Sequence, residues 1–312
     1  MTLPVFDLPQ IAAVASKPLI FSAVRDALIA HAERRTQVPP PLHLEFPDAD
    51  GDCHVKAGHV AGAPYFAVKV AAGFYRNAEH GLPTNGGLIL VLDAQTGVPA
   101  AMLADEGWLT AWRTAAAGAL ITHALTPHDV DEVGILGSGL QARLQVQWLG
   151  ALRPLRQVRV WSRRSEAARR LCEELNDSGV DAAPATIEQA ASMPCVITAT
   201  PSTRPLAAAS AFVGAKHITG IGTDLPGKAE LPTELFAAAA LVATDDHTQC
   251  LDHGDFGNAV RAGAVDANAD TAVGDILRDG IEPDTAGLTI ADLTGVGATD
   301  AAVAMAVYRA TQ

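Results

Sequence analysis

The chain has little of what nucleic-acid-binding, secreted or membrane-spanning proteins need. Only four of its 312 residues are cysteines (Cys53, Cys172, Cys195 and Cys250), far apart and without a Cys-x-x-Cys pair. That spacing excludes a disulfide framework and a thiolate zinc site, and leaves them as mostly buried thiols. Basic residues are scarce. With 22 Lys and Arg against 35 Asp and Glu, the formal net charge is −13; no basic stripe is offered to a phosphate backbone, so no nucleic-acid partner is expected. No apolar run is long enough to cross a bilayer, and no basic start, apolar run and small-residue cleavage site follow one another at the N-terminus. No membrane association is expected, and the cytoplasm is the expected compartment. Internal repeats and low-complexity tracts are also lacking.

A hydrophobic share of 49% with 18% charge marks an ordinary globular chain. Its length fits one large or two ordinary domains. Residues 19–32 carry apolar side chains at helical spacing, and Val38-Pro39-Pro40-Pro41 forbids continuation. Five short strands are expected next, at 42–46, 53–59, 65–71, 87–92 and 99–104, separated by Asp-Gly, Gly-Ala-Pro and Thr-Gly turns. Strands that follow one another without helices predict an antiparallel or mixed sheet. A helix over 107–125 contains the small-residue run Arg113-Thr114-Ala115-Ala116-Ala117-Gly118 and stops at Thr126-Pro127-His128. Beyond it strands and helices alternate, with strands near Val133 and at 158–161, 196–200, 217–221, 240–243 and 288–293, and helices near Leu144 and at 166–175. This predicts an α/β fold with a Rossmann-type doubly wound parallel sheet. A last helix is expected over 300–309, with Asp300 starting it.

The strongest single motif is Val133-Gly134-Ile135-Leu136-Gly137-Ser138-Gly139-Leu140-Gln141-Ala142, an apolar strand entering a G-x-G-x-x-A turn and then an amphipathic helix. Gly137 permits the tight turn, Gly139 permits close approach of backbone to a pyrophosphate, and Ala142 lets helix pack on strand. The helix that starts there aims free N–H groups and a positive dipole end at phosphates. Ser138, Leu140 and Gln141 belong to the same cofactor-binding turn. At the end of the next strand an NAD enzyme commonly places Asp or Glu against the ribose; this chain has Ser162-Arg163-Arg164 instead. With no carboxylate to repel it, a 2′-phosphate is accommodated, and NADP(H) is expected to be preferred, with NAD(H) possible.

The chain resembles the ornithine cyclodeaminase and mu-crystallin family along most of its length. The resemblance rests on Val68-Lys69-Val70, Leu88-Ile89-Leu90-Val91-Leu92 with Thr96-Gly97, Leu109-Thr110-Ala111-Trp112-Arg113-Thr114-Ala115-Ala116, the glycine turn, Ala199-Thr200-Pro201, and Gly220-Ile221-Gly222-Thr223-Asp224-Leu225-Pro226-Gly227-Lys228-Ala229-Glu230-Leu231. It implies a Rossmann domain over 126–293 and an α+β substrate-binding and dimerisation domain built from both chain ends, 1–125 and 294–312. It also implies a homodimer, and chemistry at the Cα–N bond of a small amino acid or cyclic imine. By the same resemblance Lys69 is the active-site lysine, Arg113 binds the substrate carboxylate, and Asp224 is the catalytic aspartate. Thr114 lies near the cofactor phosphates, and Ala199, Thr200 and Val296 lie near the cofactor.

The residues support those roles independently. Lys69 interrupts an apolar run in which an inward cation needs an anion; on strand alternation alone it would face solvent. Arg113 offers a planar fork suited to a carboxylate. Asp224 follows a strand's carboxyl end, where such sheets bind ligands and where a carboxylate can shuttle protons. The family pattern breaks at Pro41-Leu42-His43, where many members carry an arginine. Histidine cannot supply that bidentate fork; Lys56 together with His43 is expected to rebuild an anion site of different shape, which puts strict ornithine specificity aside. Asp245-Asp246-His247 and Asp252-His253-Gly254-Asp255 are dense enough to tempt a metal assignment, but capping and surface roles are expected and no metal is assigned. Three functions are therefore in view: a cyclodeaminase-like enzyme, an NADPH-dependent ketimine or imine reductase, and a non-catalytic binding protein of crystallin type.

Overall fold

The computed structural model describes residues 2–280 and 287–312. They form two compact units, one made of residues 2–114 and 296–312 and the other of residues 115–280 and 287–295.

The first unit is a seven-stranded sheet of β1 (Val5–Asp7), β2 (Thr36–Gln37), β3 (Leu42–Phe46), β4 (Gly51–Val60), β5 (Tyr65–Phe74), β6 (Asn85–Asp93) and β7 (Pro99–Ala104). The order is β1-β7-β6-β5-β4-β2, with β3 also paired to β4; β1 runs parallel to β7 and every other pair is antiparallel. The sheet is thus mixed, as consecutive strands without helices require. Register sets the chemistry. Lys56 stands directly opposite Lys69 across β4 and β5, and Lys69 stands opposite Ile89 across β5 and β6. Alternation therefore puts both lysines on one face. On this unit pack the helices Lys17–Ala32, capped by Ser16, and Gly297–Ala310. Their interface is built from small side chains, with Ala27, Val296, Ala298 and Ala302 buried together. Small residues also bring the C-terminal helix close to the sheet: a Cβ on Gly58 would sit 2.4 Å from the carbonyl oxygen of Gly297. Only hydrogen fits there.

This helix begins at Gly297, three residues before the expected start, because Val296 is already in the extended conformation of an N-cap. Asp300 is consequently not the residue that starts it. It sits one turn in, makes no capping bond, and is buried.

The second unit carries eight parallel strands, β8 (Glu132–Leu136), β9 (Gln157–Trp161), β10 (Ala182–Pro184), β11 (Cys195–Thr198), β12 (His217–Gly220), β13 (Ala239–Thr244), β14 (Asp270–Ala272) and β15 (Leu288–Asp292), in the order β10-β9-β8-β11-β12-β15-β13-β14. The fold class is the doubly wound α/β sheet. The chain steps outward from β8 to β9 and β10, then returns to place β11 on the other side of β8. That reversal opens a crevice at the carboxyl ends of β8 and β11, where ligands bind in such sheets. Fully buried Ile135, Leu136, Val158, Val160, Val196, Ile197, Ile218 and Ile290 fill the strands, as expected when helices cover both faces.

Candidate functional site

In the first unit the site starts from three charged side chains with no other reason to be buried. Lys69 Nζ donates to both carboxylate oxygens of Asp300, at 3.0 Å each, and Arg113 Nε donates to Asp300 Oδ1 at 2.9 Å. The side chains of Lys69, Arg113 and Asp300 are 4%, 7% and 4% exposed. Burial lowers the Lys69 pKa to about 8; Asp300 opposes that, and the charges of Arg113 and Lys56 reinforce it. Burial alone would raise the Asp300 carboxyl, but Arg113, Lys69 and Lys56 together hold it below its ordinary value. Lys56 is therefore part of the same electrostatic group, as its cross-strand position dictates. Asp105, buried beside the start of the helix Trp108–Leu125, accepts from Leu109 N–H at 2.8 Å; burial raises its pKa, and the Lys69 charge restrains the rise.

His43 lies outside this cluster. It pairs in register with His54, stacks on it at a centroid distance of 4.4 Å, and sits 3.9 Å from Glu45. Alternation places His54 and Lys56 on the same sheet face, so His43 flanks the lysines along the edge strand β3. Thr114 donates its hydroxyl to Thr110 O at 2.9 Å. Val296 commits its side chain to the apolar cluster of the C-terminal helix.

In the second unit the residues expected at the dinucleotide turn come together at the crevice. Gly137 has φ +137°, and a Cβ there would lie 2.4 Å from the carbonyl oxygen of Ala199. The glycine turn after β8 thus presses on the segment Ala199-Thr200 after β11. Gly139 is the extended N-cap of the helix Leu140–Leu149, supplies no side-chain cap, and a Cβ on it would meet nothing within 4 Å. Tight closure at Gly137 and open space at Gly139 are what a pyrophosphate on this helix terminus requires, so the residues fit a dinucleotide. Ala142 is fully buried against the sheet, whereas Leu140 is exposed and Gln141 half-buried. Ser138 Oγ donates to Ser162 Oγ at 2.8 Å, tying the turn to the end of β9, and Arg163 and Arg164 follow as exposed side chains.

Glu230, fully buried, was not singled out from sequence. One carboxylate oxygen accepts from Thr198 Oγ1 (2.7 Å) and Gly222 N–H (2.8 Å), the other from the N–H (2.6 Å) and hydroxyl (2.7 Å) of Thr200. It clamps the ends of β11 and of the segment after β12, so the position of Thr200 is built by a residue 30 positions away. Asp224 lies on the loop that Glu230 anchors, half-exposed and 2.5 Å from Lys228 Nζ.

The two acidic segments need a partial correction. Asp246 does cap the helix His247–His253, accepting from Gln249 N–H at 2.8 Å, and Asp252 is exposed. Asp245 and Asp255 are not surface residues. Asp245 accepts from Thr294 and Gly295 N–H at 3.0 and 2.7 Å, and Asp255 accepts from Glu230 and Leu231 N–H at 3.0 and 3.2 Å. Each satisfies backbone of a distant loop, a demand invisible in local polarity. Among the described residues no group of three or more His, Cys, Asp or Glu is arranged to hold a metal.

The fold and these two clusters define a class: an α/β enzyme with a dinucleotide-binding sheet and a separate unit that buries a lysine and an arginine around one carboxylate. A family model described as "Ornithine cyclodeaminase/mu-crystallin family" matches residues 11–312, and the chain belongs to this family. An uncharacterized cyclodeaminase of Sinorhizobium fredii is 35% identical, covering 94% of this chain and 91% of that protein. Among solved structures, an archaeal alanine dehydrogenase dimer with bound NAD superposes with a TM-score of 0.90 at 28% identity, covering 99% of this chain and 96% of its own. The iminosuccinate reductase of Paracoccus denitrificans, in complex with NAD+, superposes with a TM-score of 0.91 at 27% identity and the same coverage.

Proposed function

We propose that the chain is a nicotinamide-dinucleotide-dependent enzyme that makes or breaks the Cα–N bond of a small amino acid. The observation that carries this reading is the pair Lys69 and Arg113, two buried cations that share the single carboxylate of Asp300. Burying charge is costly unless it serves a partner. Among the described residues the terminal nitrogens of Arg113 make no hydrogen bond, its Nε alone being engaged by Asp300. They are the donors for a substrate carboxylate, which a planar fork grips with both oxygens. Lys56 and His43 extend the anion site along the same face. Lys69, titrating near 8, holds or releases a proton near neutral pH and is the acid or base at the substrate nitrogen. Asp224 is the second proton carrier.

The dinucleotide is held by Gly137, Ser138, Gly139, Leu140, Gln141 and Ala142, with Ala199 and Thr200 beside them. Ser162, Arg163 and Arg164 take its adenosine ribose and favour a 2′-phosphate, so NADP(H) is preferred and NAD(H) accepted. When bound, the nicotinamide supplies hydride exchange at the substrate Cα. Which net reaction follows depends on the substrate: a side-chain amine that closes a ring expels ammonia with no net redox change, whereas an amine or imine without one is oxidised or reduced. His43 in place of an arginine and the likeness to an iminosuccinate reductase favour imine reduction as the second reading. A purely binding role has no use for a buried lysine with a depressed pKa. A homodimer is proposed from the likeness to the dimeric alanine dehydrogenase.

The test is Lys69→Met, which keeps the stem and removes the amine. Turnover is expected to fall by about 100-fold or more, with dinucleotide affinity unchanged. Turnover that survives would remove Lys69 from the chemistry.

A further inference from the structure

Asp300 lies outside every motif read from the sequence, and its only bonded partners among the described residues are the two cations assigned above to the substrate. We propose that Asp300 is the positioning residue of the site: from the first turn of the C-terminal helix its carboxylate fixes Lys69 and the Nε edge of Arg113, turning the terminal nitrogens of Arg113 and the third N–H of Lys69 toward the substrate. The proposal rests on the function inferred above for those cations.

The geometry favours positioning over mere anchorage. An anchoring ion pair needs one partner, yet Oδ1 is shared between Lys69 Nζ at 3.0 Å and Arg113 Nε at 2.9 Å. The two cations are thereby locked to one point and to each other. Aspartate has a short side chain with little rotamer freedom to lose, which suits a fixed reference point. The backbone that carries it is equally fixed: the Gly58–Gly297 approach leaves no room for a methyl group between β4 and the helix. Removing the charge would also leave Lys69 facing burial, Arg113 and Lys56 with nothing to oppose them. An opposite charge at this distance shifts a titration by about one to three pH units.

The test exploits the presence of only five lysines, Lys17, Lys56, Lys69, Lys216 and Lys228. Competitive acetylation with acetic anhydride across pH, read by peptide mass spectrometry, titrates each one without any substrate. In the wild type Lys69 is expected to titrate near 8. Asp300→Asn should lower that by about one unit or more, leaving Lys216 and Lys228 of the other unit where they are. Gly58→Ala touches no charged group but must displace the helix, and should move Lys69 in the same direction by less. If Asp300→Asn does not fold, Gly58→Ala decides. In kinetics, Asp300→Asn should shift the alkaline limb of kcat/KM by the same amount and raise the carboxylate substrate's KM about tenfold, as losing a charged contact does, with dinucleotide Kd unchanged. An unmoved Lys69 titration in a folded variant, or a loss of thermal stability alone, overturns the proposal. If Lys69 moves but no amino or imino acid is turned over, the Cα–N reading fails while the Asp300 coupling stands.

Discussion

Lys69 and Lys56 face each other across two adjacent strands, a like-charge pairing that destabilises an ordinary sheet. Here it is tolerated because the Asp300 carboxylate opposes the repulsion, accepting from Lys69 with both oxygens and from Arg113 as well. The resemblance pointed to Lys69 and Arg113, but their partner could not be found from sequence: Asp300 lies 231 residues from Lys69, and an aspartate near a helix start looks like a cap. Glu230 was equally hidden, since a buried carboxylate that serves distant backbone has the same local pattern as a surface one. Arg163 and Arg164 are different, being exposed and close after β9, so that the ribose contact proposed for them rests on their place in the sequence. Replacing both by serine is expected to raise the KM for NADPH by about tenfold or more and leave that for NADH within about twofold. Equal effects on the two cofactors in steady-state kinetics would place the arginines outside the adenosine site.

At the level of elements, β3 and β7 were legible to the residue, because alternating side chains and flanking Pro and Gly bound them sharply. β1, β2, β10 and β14, two or three residues each, carry too few side chains for a period to show. The glycine turn was fully legible, since strand, turn and helix follow in one continuous stretch. What the sequence could not show is that Gly137 closes on Ala199, a contact made by the return of β11 beside β8. Gly137→Ala would combine a left-handed φ with a 2.4 Å clash against that carbonyl. Strain of about 1–3 kcal/mol is expected to weaken dinucleotide binding by about 10-fold or more, measured by nucleotide fluorescence titration. Binding unchanged from the wild type would show that the turn relaxes without touching the ligand.

For the molecule as a whole, net charge hides an internal imbalance. The second unit buries Glu230, Asp245, Asp255 and Asp292. Burial first, then the neighbouring carboxylates, raise Asp255 to about 8 and Asp292 to about 7. Raised folded-state values mean that the folded chain holds these protons more tightly than the unfolded chain. The stability they contribute is present at low pH and is lost as pH rises through about 7 to 8. Lys69 acts with opposite sign, but only as pH climbs above about 8. Thermal unfolding of the second unit is therefore expected to come several degrees earlier at about pH 8 than at about pH 6; a flat or rising midpoint across that window would contradict the assignment. No helix among the described residues is long and apolar enough to cross a membrane.

The central claim is chemistry at a Cα–N bond with a nicotinamide, and one assay addresses it most directly. The purified protein is incubated with ornithine, alanine, proline and aspartate, each with NADP+ or NAD+, and with the corresponding imino acids and NADPH or NADH. Ammonia, proline and reduced nicotinamide are followed together. The account predicts turnover of at least one pair: equal proline and ammonia without net reduction if the ring closes, or stoichiometric nicotinamide oxidation or reduction if it does not. Bound dinucleotide with no ammonia, no proline and no redox change in either direction would contradict it.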